Sequence, residues 1–463
     1  EAQGVGVPRT MAHFGFPAEM YVDAMTKHPR IIACLLAALP CIALAARQPA
    51  KDEALSARID QVLTETPVID GHNDLPWGIR EDFGNVGNID LAADTSKLRS
   101  KTGDRDAHFM TDIPRARKGH LGAQFWSVWI PATITGPEAV QTTLEQIDIV
   151  RTMVAKYPKD FEMASTADDI QRIEKSGRIA SLIGVEGGHQ INNSMAVLRD
   201  YYALGVRYMT LTHGKNTDWA DSATDKPVHH GLTPFGRAVV REMNRLGMLV
   251  DLSHVSPDTM KAALETTRAP VIFSHSSARA LDDHPRDVPD DVLRLVRQNH
   301  GVVMVNFYPM FISQAVARWD ADRAGAVARF DTLYTGQPDR ARAAMDQWAK
   351  AHPQPRATIA QVADHIDHIR KIAGVESVGI GSDFDGIDAT PVGLDGVDKY
   401  PALFVELARR GWSDDELADL AGRNLLRVMR EAEQAAARLQ EQEAPSHATI
   451  GMDAAGKAGA AGM

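Results

Sequence analysis

The stretch Thr66-Pro67-Val68-Ile69-Asp70-Gly71-His72-Asn73-Asp74 opens on Thr-Pro, runs through β-branched residues and closes on ionisable ones. A short apolar run bounded in this way reads as a buried strand. Seven more stretches repeat it: Gly122 to Pro131, Ala180 to Gly188, Gly205 to Gly214, Gly247 to His254, Pro270 to Ser276, Gly301 to Phe307 and Ser377 to Asp385. Between several of them, apolar residues recur at helical spacing, in Pro137 to Lys156, Phe235 to Leu246, Pro257 to Thr267, Pro289 to Asn299 and Gln361 to Ala373. Parallel strands need such crossovers. Eight strands alternating with helices predict an α/β fold, a TIM-like (β/α)8 barrel. The connection Tyr308 to Glu376 holds an extra segment, Phe311 to Arg356, with Ala/Arg helical patterns and a turn at Gly336-Gln337-Pro338. It predicts a helical insertion between strands 7 and 8, which covers the site, joins two copies, or is a solvated excursion.

The 463 residues are 44% hydrophobic and 24% charged, ordinary globular usage. At about 150 residues per domain the length suggests several domains, but a barrel with insertions absorbs it as one. Lys and Arg number 50 against 61 Asp and Glu, and the net charge of −11 argues against nucleic acid as a partner. The two cysteines, Cys34 and Cys41, exclude a disulfide framework and a Cys-based zinc site, so any metal must sit on His and carboxylate. Both lie in the apolar run Ile31 to Ala46, which follows Lys27 and Arg30 and contains the small-residue pattern Ala43-Leu44-Ala45. Its 16 residues, interrupted by Pro40, fall short of a span, which needs about 20. Residues 25–46 therefore read as a secretory signal peptide, with Met25 as the start and residues 1–24 as an upstream extension. Export, to a periplasm, and no stable membrane insertion after cleavage are expected. At the other end, Glu431 to Gln442 reads as the close of a charged helix and Ala448 to Met463 as a disordered Gly/Ala-rich tail. This leaves residues 56–430 for the barrel.

His72, Asp74, Glu186, His213, His254, His275 and Asp383 all stand at the C-terminal ends of the proposed strands, the face that carries barrel active sites. In an extended strand alternate side chains share a face, so His72 and Asp74 project together and can grip one cation. Glu186 ends an apolar run, where an unpaired carboxylate is strongly penalised, so it is paired with a barrel arginine, protonated or metal-bound. His254 and His275 bring imidazoles from neighbouring strands to the same level. Three imidazoles and two carboxylates suit a pair of divalent ions such as Zn²⁺, with Glu186 as the bridge. Ions about 3.5–4 Å apart can share a water and lower its pKa, which makes hydrolysis the natural reaction. His213 is then a candidate oxyanion donor or an additional ligand, and Asp383 a candidate general base, with Asp385 its competitor. Arg286 follows the sixth strand and either clamps a substrate carboxylate or pairs with Asp287 or Asp290 at the surface. His365 and His368 sit three apart on a helix expected outside the barrel, where structural roles are the better reading.

These motifs resemble the membrane (renal) dipeptidase family of the amidohydrolase superfamily, bacterial branch. The resemblance spans Val68 to about Val428 and rests on Ile69-Asp70-Gly71-His72-Asn73-Asp74, Gly184-Val185-Glu186-Gly187, Thr210-Leu211-Thr212-His213, Asp251-Leu252-Ser253-His254, Phe273-Ser274-His275-Ser276, Arg286-Asp287-Val288-Pro289 and Gly381-Ser382-Asp383-Phe384-Asp385-Gly386. It implies a binuclear zinc dipeptidase with His72, Asp74, Glu186, His254 and His275 as ligands. It further implies that His213 and Arg286 bind substrate, Arg286 at the terminal carboxylate, and that Asp383 is the catalytic acid/base. A dipeptide substrate, tolerance of a C-terminal D-residue and a homodimer are the matching expectations. The competing readings are an amidohydrolase of N-acyl amino acids and a catalytically silent binding homologue.

Overall fold

A computed structural model describes residues 53–99 and 109–451. The leader, the upstream extension and the end of the tail lie outside the described residues. The chain divides into two units, Glu1–Ala57 and Arg58–Met463. Of the first only residues 53–57 are described, and they are helical. The second carries everything that follows.

Its strands are β1 (Val68–Asn73), β2 (Leu121–Trp129), β3 (Phe161–Met163), β4 (Ile179–Glu186), β5 (Val206–Thr210), β6 (Leu249–Asp251), β7 (Ile272–Phe273), β8 (Val302–Val305) and β9 (Val378–Ile380). Every pairing between them is parallel, and β2 pairs with both β1 and β4. The ring β1-β2-β4-β5-β6-β7-β8-β9 therefore closes on itself through the β1–β9 pair, giving the eight-stranded (β/α)8 barrel. All eight predicted runs supply its strands. A ninth, β3, was not foreseen: it pairs only with the start of β4, Phe161 opposite Ile179 and Met163 opposite Ser181.

Barrel strands face side chains inside and helices outside, so they are buried on both faces and read as continuous apolar runs. β1, β4 and β8 are buried at every position. Phe125, Leu182, Tyr208, Leu249, Ile272, Val302 and Met304 belong to one buried cluster. The helices Pro234–Leu246 and Pro257–Thr266 begin where Thr233 and Ser256 side chains accept from backbone N–H groups of their first turns. The last helix, Asn424–Gln442, buries Ala432, Ala435, Ala436 and Leu439, and Gln440 Nε2 donates to Arg245 O (2.8 Å) on the helix Pro234–Leu246. Its packing runs past the compositional boundary at 430, because small alanines among the charges form an apolar stripe. Between β8 and β9 run three helices, of which the first two, Gln314–Leu333 and Pro338–Ala351, fall in the extra segment and the third is Ile359–Ala373. Trp319 and Trp348 meet across the first two at 5.9 Å, and most other side chains of these two are exposed. Among the described residues no helix is long and apolar enough to cross a membrane.

Candidate active site

Glu186, the last residue of β4, is the hub of the C-terminal mouth. Its Oε1 lies 2.8 Å from His254 Nε2, 3.4 Å from His275 Nε2 and 3.6 Å from His213 Nε2. Its Oε2 lies 3.4 Å from His72 Nε2. His72 Nε2 is in turn 3.1 Å from Asp74 Oδ2 and 4.0 Å from Asp383 Oδ1. His254 and His275 bring their Nε2 atoms to 2.9 Å of each other. All seven residues read from strand ends thus converge. Three overlapping donor groups result, His72/Glu186/His275, Glu186/His213/His254 and His72/Asp74/Asp383, each with its ligand atoms within 4.8 Å.

The local backbone is bent to make this possible. β6 and β7 end at Asp251 and Phe273, earlier than the apolar runs suggested, so that the residues after them leave the ladder and turn into the mouth. His254 and Asp383 adopt left-handed φ of +66° and +64°, a conformation that costs a non-glycine residue about 1 kcal/mol or more and clusters at functional sites. Gly184 is required for a different reason: a Cβ there would fall 2.0 Å from the Tyr208 ring, which it lets pass across the barrel.

Burial and charge set the protonation states. Burial lifts Glu186, but the imidazoles of His72, His213, His254 and His275 hold it well below the usual carboxylate range. Burial drives His254 and His275 well below the ordinary imidazole value, with Arg286 adding to it in both. Their neutral rings are the form in which imidazole ligates a metal. His72 is opposed: burial lowers it, while Tyr208, Glu186 and Asp74 beside it hold it well above. Asp383 is pushed up to about 7 by burial, with Asp74 and Glu186 adding repulsion against the pull of His72.

Most of the supporting residues lie inside the quoted motifs, but nothing in their pattern assigns them a role. Tyr208 OH lies 2.7 Å from His72 Nδ1. Asp251 accepts from Ser274 Oγ (2.6 Å), Thr210 Oγ1 (2.5 Å), Ser274 N (2.8 Å) and Ser253 N (3.1 Å), and Ser274 Oγ lies 2.8 Å from His275 Nδ1. Asn306 Nδ2 donates to Asp383 Oδ2 at 2.9 Å. Asp70 accepts from the backbone of His72 (3.1 Å) and Ser382 (2.9 Å), tying β1 to the residue before Asp383. Such outer partners fix ligand orientation as firmly as the ligands fix a metal.

Arg286 is buried, with Nη1 donating to Ser276 Oγ (3.3 Å) and Nη2 to His275 O (3.2 Å). It is therefore not the surface ion pair with Asp287 or Asp290 that the sequence also allowed. Its guanidinium lies over the Phe311 ring at 5.1 Å, and its bond to His275 O sets it beside the imidazole and carboxylate cluster. Asp385, the competitor of Asp383, accepts from Met110 N at 2.6 Å and so anchors a neighbouring loop. His365 stands apart from the site: Ala278 N donates to its Nδ1 (3.0 Å), and its Nε2 faces Ile312 O (3.1 Å). His368 Nε2 faces Asp290 at 2.7 Å.

The donor set of imidazole nitrogen and carboxylate oxygen fits a hard or borderline divalent cation. Asp74 Oδ1 is buried without a hydrogen-bond partner, a state that a cation relieves. Gly386 keeps the space before the carboxylates open, since a Cβ there would fall 2.1 Å from Asp74 Oδ2 and 2.7 Å from Asp383 Oδ1. His72, Asp74, Glu186, His213, His254, His275 and Asp383 all offer atoms that could hold a metal, the five expected ligands among them.

Comparison with known proteins agrees with this arrangement. Residues 56–443 match the family model described as membrane dipeptidase (peptidase family M19). An uncharacterised dipeptidase of Schizosaccharomyces pombe is 45% identical over 387 residues, 80% of this chain and 82% of its own. Dipeptidase 3 of Rattus norvegicus is 41% identical over 389 residues, 83% of this chain and 68% of its own. Among crystal structures, the probable dipeptidase PvdM of Pseudomonas aeruginosa shares the fold at a TM-score of 0.68, with 24% identity, covering 83% of this chain and 99% of that one. A metallo peptidase from Rhodobacter sphaeroides, liganded with a phosphinate mimic of the dipeptide L-Ala-D-Ala, aligns at 0.62 with 22% identity, over 79% and 99%. With seven candidate metal donors meeting at one barrel mouth and relatives named for dipeptide hydrolysis, the chain belongs to the membrane dipeptidase family, M19, whose members are metal-dependent hydrolases of dipeptides.

Proposed function

We propose that this protein hydrolyses the peptide bond of dipeptides, including those ending in a D-residue, with two divalent cations, Zn²⁺ foremost, shared through Glu186. The observation that carries the reading is the division of Glu186: Oε1 faces His254 and His275, while Oε2 faces His72. His72 and Asp74 would then hold one cation and His254 and His275 the other. The cations, when bound, supply Lewis acidity at the scissile carbonyl and acidify water.

The remaining steps belong to the chain. Arg286 is held by two long hydrogen bonds and the Phe311 face, which leaves N–H groups to take the dipeptide's terminal carboxylate in a charge-assisted contact. His213 is half-buried, and Trp129 packs edge-on against it at 5.5 Å. Burial lowers its pKa, so the neutral ring offers one N–H to the carbonyl oxygen as charge develops there. Asp383, with a pKa pushed up to about 7, is matched to accept a proton from the attacking water and return it to the leaving amine. Activity on a D-residue is supported by the mimic bound to the Rhodobacter sphaeroides enzyme. Export is supported by the leader pattern in residues 25–46, outside the described residues.

The test is hydrolysis of L-Ala-L-Ala, L-Ala-D-Ala and N-acetylalanine by chelator-stripped protein, before and after adding Zn²⁺. Dipeptide cleavage restored by the ion is expected. Cleavage of N-acetylalanine faster than of either dipeptide, or turnover indifferent to metal, overturns the proposal.

A further inference from the structure

No histidine of the cluster comes from β8 or β9, and the mouth above these strands is occupied by a second feature. A cavity of about 270 Å³ lies there, lined by Tyr308, Trp319, Asp320, Arg323, Gln354 and Asp388 among others. Trp319, Asp320 and Arg323 belong to the first insertion helix, Tyr308 follows β8, and Asp388 follows β9. Two chains of contacts tie its lining to the site. Tyr308 N donates to Asn306 Oδ1 (2.5 Å), and Asn306 Nδ2 donates to Asp383 Oδ2 (2.9 Å). On the other side the Tyr308 ring packs edge-on against Phe311 at 5.0 Å, the ring over which Arg286 lies.

Its chemistry is unbalanced. Asp320 and Asp388 contribute two carboxylates, and the Tyr308 hydroxyl is hydrogen-bonded to Asp388. The one cation of the lining, Arg323, is exposed, as is Asp388, whereas Asp320 and Trp319 are half-buried. A half-buried indole beside carboxylates favours an ammonium or guanidinium group. The Trp319 indole is fixed for the purpose by its Nε1 donating to His352 O (2.8 Å). We propose that this cavity, to which the first insertion helix contributes Trp319, Asp320 and Arg323, is a specificity subsite that takes a positively charged side chain of the dipeptide. The inference rests on the dipeptidase reading above.

The experiment is a kcat/KM panel on the full chain loaded with Zn²⁺, comparing Ala-Ala with Lys-Ala, Arg-Ala, Ala-Lys, Ala-Arg, Glu-Ala and Ala-Glu, each with an L- or D-residue at the C-terminus. A basic residue at one of the two positions should exceed alanine there by about ten-fold, and the position favoured identifies which side chain enters. In Asp320→Asn the basic-over-alanine ratio should collapse toward one, and in Asp320→Lys the glutamate substrate should overtake the basic one. A wild-type enzyme blind to side-chain charge, or an Asp320→Asn variant that slows all dipeptides equally, overturns the subsite while leaving the dipeptidase reading intact. Absence of cleavage of every dipeptide overturns both.

Discussion

Replacing Asp251 by asparagine tests how the fold holds the metal without touching a ligand. Asp251 is fully buried and accepts four hydrogen bonds, two from the hydroxyls of Ser274 and Thr210 and two from the backbone of Ser253 and Ser274. Ser274 Oγ sits 2.8 Å from His275 Nδ1, and His275 Nε2 faces Glu186. With Nε2 committed to a cation, Nδ1 carries the proton and donates to Ser274, whose own proton goes to Asp251. An amide at residue 251 places N–H donors where those hydroxyls need an acceptor. One buried hydroxyl proton is orphaned, at a cost of about 1–3 kcal/mol, and the His275 ring loses its anchor. Zinc affinity and kcat/KM should both fall by roughly 10- to 100-fold, with activity partly regained in excess Zn²⁺. Competition with a zinc-chelating dye measures the affinity, and a thermal melt checks that the variant is folded. A folded Asp251→Asn protein that holds zinc as tightly as the wild type refutes the reasoning.

Three further outcomes follow from the same geometry. With the Asp383 pKa pushed up to about 7, a base role gives kcat/KM an acid limb at or below that value, lower still once cations offset Asp74 and Glu186. Asp383→Asn should remove the limb along with most of the rate, and a pH profile shows it. Arg286→Ala should raise KM for dipeptides by about thirty-fold or more with kcat less affected, and steady-state kinetics that leave KM unchanged would remove Arg286 from substrate binding. Asp287 is fully buried, and burial together with the Asp282 charge raises its pKa well above the ordinary value, against the pull of Arg286 and the Ser277 backbone. Because the folded state keeps the proton that the unfolded state releases, the native form loses stability as pH climbs from the unfolded pKa toward the folded one. Asp287→Asn should therefore stabilise the protein by about 1–3 kcal/mol near neutrality and by less at pH 4, as denaturant titrations at the two pH values will show.

The barrel was legible because its strands are buried on both faces, so that Val302-Val303-Met304-Val305 or Leu182-Ile183-Gly184-Val185 stand out as unbroken apolar runs. β3 was not, since Phe161-Glu162-Met163 is three residues with a charge at the centre. The convergence of seven polar residues was legible from position, because a side chain ending such a run is carried to the mouth. The residues beneath them were hidden. Asp251 looks like any acid within a strand, and only the register that sets it opposite Ile272 brings it to Ser274 and so to His275. Tyr208 reads as a core aromatic, and its contact with His72 depends on Gly184 clearing its path across the barrel. The cavity at Tyr308 needed the insertion's helices to be placed, because no periodicity in 311–356 says which of its faces meets the barrel.

Metal content of the active protein tests the central claim most directly. The account predicts about two zinc ions per chain by mass spectrometry of the zinc-loaded wild type, with Glu186→Gln losing both metal and dipeptide turnover. Full dipeptidase activity with one ion or none per chain, or a Glu186→Gln protein that keeps both ions at wild-type affinity, would contradict it.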